Sequence, residues 1–218
     1  MMFRNREQAG ERLAGKLGEY RTADAVIISV PYGGAVVGAI VARRLGLPFD
    51  VVVVRRLPAP DFPEVALGAI AADGTQYLER TVITDLEVLP EYLEAVKEEE
   101  REDARRRERI FRRDLPPLVL SGRVVIVVDD GSAERPTILA ALQKIKREQP
   151  SKVVLAIPVV PANWLEYFRN KVDELVYIDA PRVFWSSEQF YAFFPEVSDE
   201  DVVELLREAL RSRRHRAA

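Results

Sequence analysis

The chain contains no cysteine and only one histidine, His215, among its 218 residues. The first absence excludes disulfides, thiolate nucleophiles and cysteine-ligated zinc. The second excludes histidine triads and histidine-rich metal centres, because one imidazole cannot build either. Long apolar runs are also missing: no stretch approaches the roughly 20 residues needed to cross a bilayer. The amino terminus lacks the charged, apolar and small-residue succession of a signal peptide. A cytoplasmic protein with no membrane partner is therefore expected. Excess positive charge is absent too. With 32 Lys and Arg against 35 Asp and Glu, the net charge is −3, which argues against nucleic acid as the main partner. The basic stretch 211–216 reads as a solvated tail. What remains, 48% hydrophobic and 31% charged residues, suits a globular chain with a substantial core.

Apolar β-branched runs alternate with helical periodicity along most of the chain. Residues 25–30 (AVIISV), 49–54, 124–128, 153–157 and 175–178 read as buried parallel strands. Residues 35–45, 136–147 and 162–170 read as helices between them. This alternation predicts an α/β fold: a doubly wound, mostly parallel sheet flanked by helices. Asn5 with Gln8, and Ser198 with Asp201, have capping-box spacing and should open the first and last helices. One region departs from the alternation. Residues 57–78 carry Pro58, Pro60 and Pro63 and then an Ala72–Gly74 turn, which predicts a proline-rich loop followed by a hairpin. Residues 90–114 predict one long helix, acidic in its first half and arginine-rich in its second. Glu102–Arg106 and Asp103–Arg107 lie one turn apart in it. It reads either as a solvated arm or as a homodimer contact. The chain 1–218 thus reads as a single domain, with 55–116 as an insertion and 180–197 as an aromatic-rich segment.

The chemistry concentrates in residues 124–142, VVIVVDDGSAERPTILAAL. An apolar strand ends in Asp129 and Asp130. A turn through Gly131, Ser132, Ala133, Glu134 and Arg135 then leads to Pro136 and Thr137 at the start of an amphipathic helix. Open α/β sheets bind ligands at the carboxyl ends of their strands. Paired carboxylates there accept hydrogen bonds from the vicinal hydroxyls of a sugar. The following turn and helix start hold an anion through free N–H groups and the helix dipole. A sugar phosphate is the ligand this stretch suggests. Pro31, Tyr32, Gly33 and Gly34 form a second strand-end turn, whose glycines allow close backbone approach to a phosphate. Both turns also have a purely structural reading, since Asp and Gly are ordinary turn formers and proline is an ordinary first helical residue.

An apolar strand, two acidic residues, a short small-residue loop and a threonine resemble the signature of the type I phosphoribosyltransferase family. The resemblance to a bacterial, domain-length branch of that family runs from about Phe3 to Leu206. It includes FRNREQAGERLA, VPYGG, VVVVRRLPAPDFPEVALGAIA and QFYAFFPEVSDEDVVELL. It implies transfer of phosphoribosyl from phosphoribosyl pyrophosphate to a nitrogen acceptor, with pyrophosphate released. Asp129 and Asp130 would hold the ribose, and Gly131 to Arg135 with Thr137 the phosphate. Tyr32, Gly33 and Gly34 would contact pyrophosphate, with Arg55 and Arg56 neutralising it and Mg²⁺ carried on it. Trp185, in a hood segment, would stack on an acceptor base. The alternative is a non-catalytic member that binds a nucleotide or sugar phosphate.

The sequence departs from the family pattern at both turns. Glu134, Arg135 and Pro136 stand where Thr-Gly and a small residue are usual, and Pro136 has no N–H to donate. One missing hydrogen bond to a charged group costs about 1.5–3 kcal/mol. Arg135 would offset this if its guanidinium reached the phosphate. Tyr32 replaces a basic residue of the pyrophosphate turn. Ala133 stands where purine-salvage members place an acid, which leaves the acceptor unassigned.

Overall fold

The computed structural model describes residues 2–112, 115–131 and 135–217. In chain order the main elements are α1 (Arg6–Lys16), β1 (Ala25–Ser29), α2 (Gly33–Leu45), β2 (Phe49–Val51), β3 (Val54–Pro58), β4 (Ala66–Ala71), β5 (Gln76–Leu78), α3 (Arg80–Asp85) and α4 (Pro90–Phe111). They continue with β6 (Val124–Val128), α5 (Arg135–Arg147), β7 (Lys152–Val159), α6 (Leu165–Arg169), β8 (Glu174–Asp179) and α7 (Asp199–Ala217). Among the described residues, no helix is long and apolar enough to cross a membrane.

Five strands form a parallel sheet in the order β2-β1-β6-β7-β8. Side chains alternate across it, as the pleat requires. Val26, Ile28, Val125, Val127, Val153 and Leu155 pack with Ile138, Leu142 and Ile145 of α5 and Phe168 of α6. Ile27, Ile126, Val128 and Val154 face the other way, onto Leu13 of α1 and Leu17 just after it, Val37 and Val41 of α2, and Val202 and Leu206 of α7. Each such side chain contributes about 1.5–3 kcal/mol when fully buried, so both sheet faces must be covered. The expected doubly wound fold is the one found. The chain leaves β1 toward β2 on one side and later returns to β6 on the other. Strand order reverses between β1 and β6, and the crevice beyond their carboxyl ends is where such sheets bind ligands.

The predicted caps form at both helix starts. Asn5 Oδ1 accepts from the Gln8 N–H at 3.0 Å, while the Gln8 side chain accepts from the Arg4 N–H at 2.7 Å, one residue before the expected donor. The Ser198 N–H donates to Asp201 at 2.8 Å, and the Asp201 N–H donates to the Ser198 hydroxyl at 3.1 Å.

Two expectations change. The apolar run 49–54 is not one strand: β2 ends at Val51, and Val54 begins β3 in a separate three-stranded antiparallel sheet, β3-β4-β5. Pro58 is accommodated because β3 is an edge strand whose pairing shifts register between Leu57 and Pro58. The predicted loop and hairpin are found, as residues 59–65 and the antiparallel β4–β5 pair with its Ala72–Gly74 turn; β3 extends them to a meander, and the short α3 follows. Finally, α4 is not a free arm. Val96, Ala104 and Phe111 are buried, so one stripe of this charged helix is docked while its other faces carry the ion pairs. Arg107 pairs with Asp103 at 2.7 Å as expected, whereas Glu102 pairs with Arg105 rather than Arg106.

Candidate active site

The parallel register sets Ser29 beside Val128, so the turns that follow β1 and β6 meet. Their contact is very close. A Cβ on Gly33 would lie 1.9 Å from Asp130 Oδ2, and one on Gly34 would lie 2.9 Å from Asp129 Oδ1. Only glycine lets the start of α2 rest against both carboxylates. Asp129 is buried, and the N-terminal end of α2 carries the partial positive charge that favours an anion beside it. The Pro31–Tyr32 peptide is cis, and Gly131 has a φ of +119°, a region suited to glycine.

Asp130 is gripped from several sides. The Arg6 Nε donates to Asp130 Oδ2 at 2.8 Å, and Arg6 Nη1 donates to the Pro195 carbonyl at 2.6 Å. The same guanidinium lies 3.6 Å above the Phe194 ring centroid. The Tyr191 hydroxyl donates to the Asp130 carbonyl at 2.5 Å. Burial pushes the Tyr191 pKa well above its ordinary value, and the charges of Asp130 and Asp129 push it further, so the hydroxyl stays a donor. Beside the pair lies an open depression of about 630 Å³, lined by Arg6, Tyr32, Gly33, Arg107, Phe194 and Ser198 among others.

Of the sequence-predicted residues, Asp129, Asp130, Gly33 and Gly34 are thus brought together, with Tyr32 beside them. The Tyr32 ring meets Phe111 edge-on and lies 5.2 Å from the Arg107 guanidinium. Its hydroxyl is buried without a hydrogen-bond partner among the described residues. The predicted cations lie elsewhere. Arg55 Nε pairs with Glu100 and Asp103, each at 2.9 Å. Arg56 donates to the Pro63 and Glu64 carbonyls. Arg135, expected to turn toward a phosphate, donates instead to Glu79 Oε1 at 2.9 and 2.7 Å and faces the Trp164 and Tyr167 rings. Thr137 lies in the first turn of α5. The Trp185 side chain is largely free, the residue being 85% exposed, and its backbone N–H donates to the Gln189 side chain at 3.1 Å. Ser132, Ala133 and Glu134 lie outside the described residues.

The arginines beside the 31–34 turn are Arg6 and Arg107, and sequence reasoning missed both, together with Tyr191 and Phe194. A signal existed for Arg6. It shares the buried stripe of α1 with Ala9, Gly10 and Leu13, and a charged residue at core spacing implies a buried partner. Arg107 is one arginine among many on α4, and its bond to Asp199 at 2.8 Å spans a distance in sequence that no local pattern reveals. Among the described residues, no cluster of three or more His, Asp or Glu side chains is placed to hold a metal ion.

A family model described as the phosphoribosyl transferase domain matches residues 3–190, a span containing both turns and Arg6. The chain belongs to this family. Two strains of Mycobacterium tuberculosis carry a relative named "Putative phosphoribosyl transferase", 36% identical over 210 residues, which are 96% of this chain and 47% of the relative. The chain therefore spans about half the length of the curated relatives it matches. The crystal structure of TT1426 from Thermus thermophilus superposes with a TM-score of 0.79 at 37% identity, covering 95% of this chain and 99% of that one. Within the phosphoribosyl transferase domain the aspartate pair and the glycine turn fall in the matched span, whereas Tyr191, Phe194 and Pro195 follow it.

Proposed function

We propose that this phosphoribosyl transferase domain transfers the phosphoribosyl group of phosphoribosyl pyrophosphate to a nitrogen acceptor and releases pyrophosphate. The observation that carries this reading is the seating of Gly33 and Gly34 on the Asp130 and Asp129 carboxylates at the switch point of the sheet. Asp129 and Asp130 accept hydrogen bonds from the vicinal ribose hydroxyls. The turn from Gly131 to Arg135, with Thr137 and the N-terminus of α5, receives the 5-phosphate. Pyrophosphate lies against the backbone of Tyr32, Gly33 and Gly34, with Mg²⁺ arriving on it as part of the substrate. The acceptor nitrogen attacks the anomeric carbon as its bond to the pyrophosphate oxygen breaks. Negative charge then grows on the leaving group, where nearby N–H donors stabilise it and Mg²⁺ carried on the pyrophosphate would neutralise part of it. The exposed Trp185 indole offers a flat surface for a heterocyclic acceptor.

The test is pyrophosphate release by purified protein supplied with phosphoribosyl pyrophosphate, Mg²⁺ and a panel of nucleobases. Acceptor-dependent release that disappears in an Asp129→Asn, Asp130→Asn double variant is expected. Absence of both binding and release across the panel would overturn the proposal.

A second reading, binding of a sugar phosphate or nucleotide without turnover, is favoured by one observation. Asp130 is committed to Arg6 and Arg135 to Glu79, so two of the charged groups at the turns already have protein partners. On that reading phosphoribosyl pyrophosphate binds and pyrophosphate is never released.

A further inference from the structure

We propose that Arg6 is the positioning residue of the ribose-binding aspartates, fixing the Asp130 carboxylate against the start of α2 for a sugar hydroxyl. This rests on the reading that Asp129 and Asp130 hold a ribose, and adds a residue to which that reading assigns no part.

Three contacts fix the guanidinium: Nε on Asp130 Oδ2 at 2.8 Å, Nη1 on the Pro195 carbonyl at 2.6 Å, and the Phe194 ring 3.6 Å away. The Arg6 side chain is 9% exposed and that of Asp130 14%. A group held on two edges and one face cannot swing. The carboxylate it holds is restrained in the same way. Gly33 closes the remaining side: a Cβ there would lie 1.9 Å from Asp130 Oδ2 and 2.6 Å from Arg6 Nε. Arg6, Asp130 and Gly33 are thus packed into one wedge where the two turns meet. Arg6 occupies one oxygen of Asp130 and leaves the other for a ligand hydroxyl, since an ionised carboxylate accepts several hydrogen bonds. An ion pair this buried adds little stability compared with a well-packed apolar pair. Its consequence is orientation, which raises affinity by removing the entropy cost of ordering the acceptor when the sugar arrives.

The wedge also ties three separated segments together. Arg6 opens α1, Asp130 follows β6, and Pro195 precedes α7. The backbone of Phe3 pairs with Tyr191, whose hydroxyl holds the Asp130 carbonyl. The depression beside the aspartates is walled on this side by Arg6, Phe194 and Pro195.

The experiment is calorimetric titration of ribose 5-phosphate into wild type, Arg6→Gln, Arg6→Lys, Asp130→Asn and the Arg6→Gln, Asp130→Asn double variant, with thermal unfolding as a check on folding. Arg6→Gln is expected to weaken ribose 5-phosphate binding about tenfold, the scale of one lost charged hydrogen bond. Arg6→Lys, which keeps the charge but not the three-way fixation, should fall between. The double variant should bind no more weakly than Asp130→Asn alone, because Arg6 acts through that carboxylate. A merely structural arginine would lower the unfolding temperature without such coupling. Wild-type affinity in folded Arg6→Gln, or full additivity with Asp130→Asn, would overturn the proposal and leave the ribose site standing. If Arg6→Gln does not fold, wild-type affinity in Arg6→Lys overturns it. Wild type that binds neither ribose 5-phosphate nor phosphoribosyl pyrophosphate would instead remove the functional reading on which it rests.

Discussion

The two ends of the parallel sheet handle charge differently. Where the strands begin, ion pairs sit at the surface between elements that the fold already places side by side. Arg123, just before β6, meets Asp24, just before β1, at 2.6 Å. Lys152 and Glu174, the first residues of β7 and β8, pair at 2.7 Å and share the Tyr20 hydroxyl. Their side chains are 37% and 32% exposed, and such pairs contribute about 0–1 kcal/mol. Where the strands finish, Asp129 is buried, and Asp130 is held by an arginine from the far end of the chain. Glycines press directly against both. Charge that could have been left in water is instead enclosed and aimed. That costs desolvation, and holding a sugar hydroxyl, as proposed above, is the use we infer for it.

The contrast breaks most completely if the aspartates lose their charge. The Asp129→Asn, Asp130→Asn double variant should lose ribose-phosphate binding beyond calorimetric detection. It should also unfold about 3–5 kcal/mol more easily, because the Arg6 guanidinium is left buried without a counter-charge; denaturant titration measures the second effect. Next in size is Gly33→Ala. A methyl 1.9 Å from Asp130 Oδ2 must push the carboxylate or the helix start aside, costing about 1–3 kcal/mol. Affinity for ribose 5-phosphate should fall with it; retained affinity would mean that the carboxylate position is not what the ligand reads.

At the opposite end, Lys152→Met should leave binding unchanged and destabilise by at most about 1 kcal/mol at neutral pH. Burial pushes the Glu174 carboxyl up, but hydrogen bonds from Lys152 and Tyr20 more than reverse this, so its pKa lies below the ordinary value. A carboxyl lowered in the folded state contributes stability above its unfolded pKa, about 4.3, and loses it as pH falls through the folded value. The stability difference between wild type and Lys152→Met should therefore shrink below about pH 4, which chemical denaturation at stepped pH would record. The smallest effect belongs to Ser29→Ala at the end of β1. Its hydroxyl is fully buried with no hydrogen-bond partner among the described residues. Removing it should stabilise the protein by up to about 1 kcal/mol, read as a small rise in unfolding temperature.

Much of the frame was legible because burial on both faces leaves a plain trace. The run 124–128 coincides with β6, and the aspartates directly after it mark a strand end in any reading. The break after Val51 was not legible: 51–54 is four valines, and nothing in them says that the last belongs to another sheet. The docking of α4 was hidden in the same way, since Val96, Ala104 and Phe111 are a sparse stripe among charges. At the candidate site, the aspartate pair and the glycine turn announced themselves as local motifs. Which arginine pairs with Asp130 did not. Arg55, Arg56 and Arg135 looked available in sequence, but all are bound within the fold, while Arg6 reaches Asp130 across 124 positions. A motif shows which residues form a turn; only the packing shows which charge is spent on the protein itself.

The most direct measurement is calorimetric titration of phosphoribosyl pyrophosphate with Mg²⁺ into the wild-type protein and into the Asp129→Asn, Asp130→Asn variant. Binding near micromolar, about 8 kcal/mol, in the first and none in the second is predicted. Equal binding by both, or none by the wild type at millimolar ligand, would contradict the assignment of this strand end as a phosphoribosyl site.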